Sequence, residues 1–526
     1  MTAAQISSPP SPATSTESRA PGRGLTVALF AGIAVLYAAA LNPHWRISPD
    51  SGRYLTMAHQ LAGGQGYTFA GNAQYGLPPA LPALYAVVFR VTGFEPSVDT
   101  LTRGFTIINA FGLLLGYLGI VAAYFFLREV AGARTALVVA VLVAASRYLN
   151  SSLAALSDVP YCAVSWTALF LLAKIERRPS LVLYNLLAVS LALSVLFRIV
   201  GAALVGAVVL HSLWRLCRRP AERGTAWRIC AASIPGTLAV IWLLRSSLAA
   251  AGTAAFSYFN MAAAGRHPSQ MALRAAENLG ALPGYLFEAV TGLDSIAGLS
   301  LVLLALVIWG LATARERGMA LAGTYFVVYL LLVGAGVGLE LRLALPLLPM
   351  LYLYAGKGVA EALRRLTRNP SAVVKVLAAL VLIVNLGHAG KTLVENRSPS
   401  FYGAYSHGKW LDYIDLAAHK DAFAPVGRVL VPAWGPVHML TGWDTVITPH
   451  ALDVVDRPEE FLAAYAGENG VRRIVIDPEY GGERGEALRR FLGSGKVQIT
   501  GRTQFGRLTV IEIAEIEYRP RVGSAL

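Results

Sequence analysis

Long uncharged runs of apolar residues alternate with short polar segments over most of the chain. The first run extends from Leu25 to Leu41, and ten more follow at residues 105–127, 135–150, 159–173, 181–197, 199–214, 229–247, 296–313, 319–338, 343–356 and 376–388. A helix of about 17–25 apolar residues crosses a bilayer and satisfies its backbone polar groups internally. Although several runs are shorter, the pattern predicts about eleven transmembrane helices, which form a membrane domain at residues 25–388.

The segment between the first two predicted spans, residues 42–104, has a different pattern. Apolar residues recur at helical spacing after Asp50, at Tyr54, Leu55, Ala58, Leu61 and Ala62, and two glycines follow. This spacing predicts a helix beside the membrane. The run Ala80 to Phe89 is too short to cross a bilayer and predicts a second helix that lies on the membrane surface.

Neither end of the chain has the apolar runs that predict transmembrane helices. Residues 1–24 are rich in Ser, Pro, Thr and Ala, which predicts a disordered cytosolic tail. Residues 389–526 alternate helical and strand patterns, which predicts a small α/β domain. Its predicted helices are Ser406–Ala418, Pro458–Tyr465 and Glu486–Leu492, and its predicted strands are Val429–Val431, Arg473–Ile476 and Leu508–Ile513.

The composition excludes a soluble protein, and the distribution of Lys and Arg predicts the orientation of the chain in the membrane. Of the 526 residues, 55% are hydrophobic and 14% are charged, the mean hydropathy is +0.53, and the net charge is +14. Alternate loops hold 19 Lys and Arg in 76 residues, whereas the opposite loops hold ten in about 130. Because basic loops stay in the cytoplasm, the N-terminus is expected on the cytoplasmic side. The protein itself is expected in the plasma (inner) membrane. An odd number of spans then places the C-terminal domain outside.

Two further features concern the first predicted span and the cysteines. Ala38 to Ala40 fits a signal-peptidase site, but the preceding apolar run is longer than the core of a signal peptide, which favours a retained helix. Only three cysteines occur, Cys162, Cys217 and Cys230, so the exoplasmic parts have no disulfide framework.

Two carboxylates follow the apolar runs on the predicted outer side. Asp50 lies in Arg46-Ile-Ser-Pro-Asp50-Ser-Gly-Arg-Tyr54, and Asp158 lies in Leu156-Ser-Asp158-Val-Pro160. A charge close to a bilayer is costly and suggests function. The structural alternative is that each aspartate caps the helix that begins beside it. Both interpretations remain open at this point.

These residues carry a family resemblance. The chain resembles the GT-C superfamily of polyprenyl-phosphate-sugar-dependent glycosyltransferases, which includes protein O-mannosyltransferases and the transferases that put aminoarabinose on lipid A. The resemblance comprises the Asp50-x-x-x-Tyr54 loop up to Tyr67, the Pro-Pro-x-x-Pro turn, the Asp158 motif, the stretch Arg342-x-x-x-Pro346-x-x-Pro349 and the trailing domain.

The resemblance implies roles for individual residues. Asp50 matches the carboxylate that helps an acceptor hydroxyl attack the anomeric carbon with inversion, and Asp158 matches a second polar partner that orients the acceptor or holds a divalent ion. Arg342, Arg198 and Arg53 are candidates for the donor phosphate, because guanidinium groups bind phosphate oxygens. Lone arginines at an interface also snorkel to the headgroups without any such role. Tyr54, Tyr67 and Glu340 are assigned to substrate binding.

The chain departs from the family pattern where a metal would bind. The family carries a further acid in the first loop, whereas this chain has none at residues 51–94. His59 and His267 stand alone, without the spacing that zinc needs. No metal site is therefore assigned, and a divalent cation is left open as a cofactor. No P-loop or dinucleotide-binding motif occurs, which favours a lipid-linked donor over a soluble nucleotide.

The sequence thus predicts an inverting glycosyltransferase that moves a sugar from polyprenyl phosphate to an exoplasmic hydroxyl of a lipid, cell-wall glycan or protein. One alternative is a transporter or flippase of a lipid-linked substrate, whose polar residues would line a path through the spans. Another is a membrane-anchored binding protein that uses Trp434 and Trp443 to stack on sugars. Neither the sugar nor the acceptor can be determined from the sequence.

Overall fold

The computed structural model describes residues 22–69, 72–73, 77–249, 268–314, 318–334, 340–364, 367, 369–398, 409–423, 427–432, 434–448, 457–478 and 482–518. The helices up to residue 249 are α1 Arg23–Ala39, α2 Pro49–Ala62, α3 Ala80–Thr92, α4 Val98–Thr102, α5 Thr106–Ala131, α6 Ala133–Ala145, α7 Arg147–Ser151, α8 Asp158–Arg177, α9 Leu181–Phe197, α10 Gly201–Arg218, α11 Arg223–Ala232 and α12 Ile234–Ala249. A short hairpin, β1 Thr68–Phe69 and β2 Asn72–Ala73, follows α2.

The second half of the membrane region contains five more helical segments. These are α13 Pro268–Thr291, α14 Ala297–Ala312, α15 Met319–Gly334, a 3₁₀ segment Leu341–Leu347 that continues into α16 Leu348–Leu363, and α17 Pro370–Asn396. Within the described residues, five helices are long and apolar enough to cross a membrane: Thr106–Ala131, Asp158–Arg177, Arg223–Ser246, Leu341–Leu363 and Pro370–Asn396. Six shorter apolar helices accompany them. The total of eleven spans therefore stays a prediction.

One predicted loop contains a helix. Residues 245–295 were expected to connect two spans, but α13 occupies Pro268–Thr291. The hydropathy pattern missed this helix because charged and polar residues interrupt its apolar face and Pro283 lies within it. The Asn278 side chain donates a hydrogen bond to the carbonyl of Gly334 at the end of α15 (3.2 Å). This helix therefore packs on the bundle.

Small residues let the helices of the bundle approach closely. A methyl group on Gly310 of α14 would overlap the backbone of Tyr354, and one on Gly358 of α16 would overlap the backbone of Leu306. Apolar side chains cannot drive association between helices in lipid, so close backbone packing does so instead. α14 and α16 thus form a tight pair within the membrane domain.

The described residues after α17 form a mixed α/β segment. Its helices are α18 Lys409–Ala418, α19 Trp434–Thr441, α20 Pro458–Glu468 and α21 Gly482–Gly493, and its strands are β3 Arg428–Val431, β4 Thr445–Ile447, β5 Val471–Ile476, β6 Val497–Phe505 and β7 Leu508–Ile516. The strand order is β4-β3-β5-β7-β6. Strands β4, β3 and β5 are parallel, whereas β7 runs antiparallel to both β5 and β6.

The predicted orientation can be tested by labelling cysteines. A cysteine at Gln65, which is exposed, should react with an impermeant thiol reagent added to intact cells when Cys217 is replaced by Ser. Cys217 is itself exposed and lies in a predicted cytoplasmic loop, so in the parent protein it should react only after permeabilisation. The reverse pattern would place Asp50 in the cytoplasm, where nucleotide sugars are available.

Candidate active site

The first turn of α2 positions Asp50. The Ser48 side chain accepts a hydrogen bond from the Ser51 backbone N–H (3.1 Å), and the Ser51 hydroxyl accepts one from the Ser48 N–H (3.0 Å). This reciprocal pair caps the helix. Asp50 is therefore not the N-cap, and its carboxylate is available for other contacts.

Asp50 pairs with the arginine expected to bind phosphate. Arg342, in the 3₁₀ segment, donates from Nη2 to Asp50 Oδ2 (2.8 Å), although 292 residues separate them in sequence. Its Nε also donates to Glu340. Arg53, one turn along α2, places Nη1 3.9 Å from Asp50 Oδ1. The structure thus brings four predicted site residues into one group: Asp50, both arginines that face it, and Glu340 on Arg342.

A second ion pair stands next to the first. Arg198, at the C-terminal end of α9, donates to Asp158 Oδ1, and the Asp158 side chain is only 3% exposed. Asp158 is the first residue of α8, whose N-cap is Ser157. The Tyr54 hydroxyl lies 3.3 Å from the Ser157 hydroxyl, which links α2 to the start of α8. Arg198 is therefore already paired with a carboxylate.

The two pairs form one electrostatic cluster. Arg198 acts on Asp50 as well as on Asp158, and Asp158 acts on Arg342. Burial alone would raise the pKa of the Asp50 carboxyl, but the positive charges of Arg342, Arg53 and Arg198 outweigh burial and hold that pKa below its ordinary value. Asp50 is consequently a carboxylate at neutral pH and a weak base while Arg342 is bound to it.

The remaining predicted substrate residues differ in position. Glu340 contacts Arg342 and has a side chain that is 59% exposed, at the edge of the cluster. The Tyr67 hydroxyl donates to the carbonyl of Leu77 (3.0 Å), where it holds the loop before the Pro-Pro turn. The Tyr67 hydroxyl also lies 3.4 Å from the carbonyl of Pro78.

The described ranges contain no group of three or more His, Cys, Asp and Glu side chains that could hold a metal ion. His59 is exposed on α2, and His267 lies outside the described residues. The Asp158 and Asp50 carboxylates are each engaged by arginine. A cation that displaced these arginines would need further ligands, and the cluster's positive charges oppose it.

The sequence did not indicate how the C-terminal segment contacts the site. Gly52 of α2 packs directly on Gly435 and Pro436 of α19, and a methyl group on Gly52 would lie 2.5 Å from backbone atoms of both. The Thr56 hydroxyl reaches the sulfur of Met439 (3.5 Å). The helix that carries Asp50 is thus seated against α19. The contact joins two glycines that are 383 positions apart, and a single sequence contains no pattern that predicts such a contact.

Trp443, which was considered as a sugar-stacking residue, is buried instead. Its side chain is only 9% exposed, and its ring packs edge-on against Phe423 with centroids 6.0 Å apart. It forms part of the core and offers no open stacking face. The alternative of a binding protein therefore loses one of its two tryptophans.

A model of the family described as dolichyl-phosphate-mannose-protein mannosyltransferase matches residues 69–264. This part of the chain contains Asp158 and Arg198, whereas Asp50 and Arg342 lie outside it. No curated protein sequence matches the chain.

Solved structures match nearly the whole chain. The structure of ArnT from Cupriavidus metallidurans bound to undecaprenyl phosphate has a TM-score of 0.59 and 14% identity, covering 95% of this chain and 100% of that one. The oligosaccharyltransferase AglB from Archaeoglobus fulgidus, in complex with an inhibitory peptide and a dolichol-phosphate, has a TM-score of 0.55 and 11% identity, covering 95% of this chain and 75% of that one.

The family match and the fold confirm the resemblance predicted from the sequence. The chain is similar to the mannosyltransferase family over residues 69–264 and has the fold of the ArnT and AglB structures.

Proposed function

We propose that the protein transfers a sugar from a polyprenyl-phosphate donor to a hydroxyl group on the exoplasmic side, with inversion at the anomeric carbon. The observation that carries this proposal is the contact between Asp50 and Arg342. It puts a group that can accept a proton beside a group that can bind phosphate. A transfer from a lipid phosphate requires both at one reacting centre.

The reaction is a single displacement. The acceptor oxygen attacks the anomeric carbon and forms the new glycosidic bond. The bond from that carbon to the phosphate oxygen breaks, and its electron pair leaves with the polyprenyl phosphate. The acceptor's proton passes to the Asp50 carboxylate, which later releases it to water. Such general-base assistance contributes about 10²- to 10⁴-fold in rate.

Arg342 couples donor binding to the basicity of Asp50. The donor phosphate is a diester with one negative charge, and it accepts paired hydrogen bonds from a guanidinium, so the donor competes with Asp50 and Glu340 for Arg342. When Arg342 turns to the phosphate, Asp50 loses its nearest positive charge. The pKa of Asp50 then rises towards the range of an effective base. Asp50 is thereby activated only when a donor is present.

Asp158 and Arg198 have a different part. Arg198 neutralises Asp158 through a direct ion pair in a nearly dry site, and its charge also acts on Asp50. Arg198 is thus a weaker candidate for the phosphate than Arg342, because moving it would leave a buried carboxylate unpaired. The pair orients groups at the reaction centre, and Tyr54 ties it to α2.

The donor can be identified by direct assay. Proteoliposomes that contain the protein are supplied with undecaprenyl phosphates that carry a labelled hexose or pentose, together with bacterial membrane lipids, glycans and proteins as acceptors. The proposal predicts that label leaves the lipid for at least one sugar. Labelled nucleotide sugars serve as the comparison, and transfer from these alone would contradict a lipid-linked donor.

The pairing of Asp50 with Arg342 predicts a shift in pH dependence. A base must be deprotonated, so kcat/KM falls below the pKa of Asp50 in the free enzyme. In Arg342→Gln, burial is opposed by fewer charges and the Asp50 pKa rises, so the acidic limb of the kcat/KM profile should move to higher pH. Glu340→Gln is the matched control, because it removes the other carboxylate that contacts Arg342. An acidic limb that moves equally in both variants, or in neither, would contradict the pairing.

A further inference from the structure

A buried tryptophan is hydrogen-bonded to the helical turn that carries Asp50. Trp45 is 0% exposed, and its indole Nε1–H donates to the Ser51 hydroxyl (3.0 Å). Its backbone N–H donates to the carbonyl of Leu101 in α4 (3.1 Å), and its ring packs against Phe105 with centroids 6.1 Å apart. Phe105 directly precedes α5. Trp45 therefore ties the first turn of α2 to α4 and to the start of α5.

A second buried tryptophan is hydrogen-bonded to the segment that carries Arg342. Trp166 in α8 is 0% exposed, and its Nε1–H donates to the carbonyl of Pro346 (2.9 Å). Pro346 follows Arg342 by four residues in the same 3₁₀ segment and is itself buried. A 3₁₀ hydrogen bond to this carbonyl would come from the N–H of residue 349, but Pro349 has none. The indole of Trp166 supplies a donor in its place.

The ion pair between Asp50 and Arg342 does not hold the two segments together by itself. Its side chains are 35% and 28% exposed, and an ion pair that water reaches contributes about 0–1 kcal/mol. The proposed reaction also opens this pair when Arg342 turns to the donor phosphate. The alignment of the two segments then depends on contacts that do not use either charged side chain.

The two indole hydrogen bonds are contacts of this kind. Burial requires an indole N–H to find a partner, so each bond alone is explained by packing. The choice of acceptors is not explained by burial. One acceptor is the residue directly after Asp50, and the other lies in the seven-residue segment that carries Arg342. Each bond thus holds the segment that carries a reacting group and leaves the reacting group free to move.

We propose that Trp45 and Trp166 are positioning residues that keep Asp50 and Arg342 aligned while the donor phosphate opens their ion pair. This proposal rests on the proposed function and extends it to two residues that act through their neighbours. Trp45 fixes the carboxylate for proton transfer, and Trp166 fixes the guanidinium for phosphate binding. The two tryptophans should therefore affect different kinetic quantities.

The test removes each indole N–H and keeps the shape of the ring. β-(3-Benzothienyl)alanine has a sulfur atom in place of the N–H and is incorporated at position 45 or at position 166 by amber suppression. The affinity of the purified protein for undecaprenyl phosphate is measured by titration. The kcat per folded protein is measured in proteoliposomes with a saturating concentration of the labelled undecaprenyl phosphate sugar that the parent protein uses.

The two variants should show different losses. At position 45, kcat should fall by about tenfold, because Asp50 is displaced from the acceptor's proton, and the affinity for undecaprenyl phosphate should equal that of the parent. At position 166, the affinity for undecaprenyl phosphate should fall by about tenfold, which corresponds to one buried hydrogen bond. The kcat of this variant should change less than its affinity.

The same replacement at position 443 is the matched control. Trp443 is also buried, and it packs against Phe423 in the C-terminal segment. This variant should keep the kcat and the affinity of the parent. The melting temperatures of all three variants show how much of any loss comes from the fold.

The outcomes separate the positioning roles from the function. Parent-like values at positions 45 and 166, or equal losses of kcat and affinity at both, would overturn the positioning roles while sugar transfer by the parent still supports the proposed function. A loss at one position alone would overturn the role of the other tryptophan. A parent protein that transfers no sugar from any undecaprenyl phosphate donor would overturn the proposed function and the positioning roles together.

Discussion

Asp50→Asn should reduce sugar transfer by about 10²-fold or more while the protein still inserts and folds. Asparagine keeps the size of the side chain and its ability to accept a hydrogen bond from Arg342, but it cannot take the acceptor's proton. The effect should appear in kcat, measured with saturating labelled donor in proteoliposomes, since the amide takes part in binding but not in proton transfer.

The chain offers a close control for this substitution. Asp99 occupies the same place in α4 as Asp50 does in α2: it lies two residues after a capping serine, Ser97, which pairs reciprocally with Thr100. Asp99 is exposed. Asp99→Asn therefore removes the same charge from the first turn of a helix without touching the cluster, and its transfer rate should equal that of the parent. Equal rates in Asp50→Asn and Asp99→Asn would remove Asp50 from the chemistry.

Gly52→Ala should produce the second large loss. The added methyl group would lie 2.5 Å from backbone atoms of Gly435 and Pro436, and backbone atoms cannot rotate aside as a flexible side chain does. Overpacking of this kind costs about 1–3 kcal/mol. Because Asp50 lies half a turn earlier on the same helix, the separation of α2 from α19 misplaces the carboxylate. A displacement of about 1 Å at a reacting centre costs up to about 10²-fold in rate.

Two further variants test this interpretation. Gly435→Ala approaches the contact from the opposite side, where its methyl group would meet the Pro49 carbonyl at 2.5 Å, and it should reproduce the loss of transfer. Gly63→Ala, at the other end of α2, meets nothing closer than 3.5 Å and should leave transfer and melting temperature unchanged. Full activity in both Gly52→Ala and Gly435→Ala would show that α19 does not position Asp50.

Part of the site could be predicted from the sequence. Asp50 and Asp158 could be nominated because charged residues beside apolar runs are costly, and Arg342 was nominated through the family resemblance. The loop asymmetry of Lys and Arg predicts that all three lie on one side. Their pairing could not be predicted. The contact from Asp50 to Arg342 spans 292 residues, and whether Arg198 joins Asp158 or the donor depends on how α8 and α9 pack.

Other parts of the site lacked any local signal. The Gly52 contact depends on α19, which is more than 300 residues away in the sequence. The helix Pro268–Thr291 was missed because its residues fit neither a fully apolar span nor a polar loop.

The anomeric configuration of the product tests the central claim most directly. A donor of defined configuration is supplied in proteoliposomes, and the configuration of the newly formed glycosidic bond is determined by the one-bond carbon–hydrogen coupling in the nuclear magnetic resonance spectrum. Direct displacement assisted by Asp50 predicts a product whose anomeric configuration is opposite to that of the donor. A product that retains the donor's configuration would require a covalent sugar intermediate and would contradict the proposed mechanism.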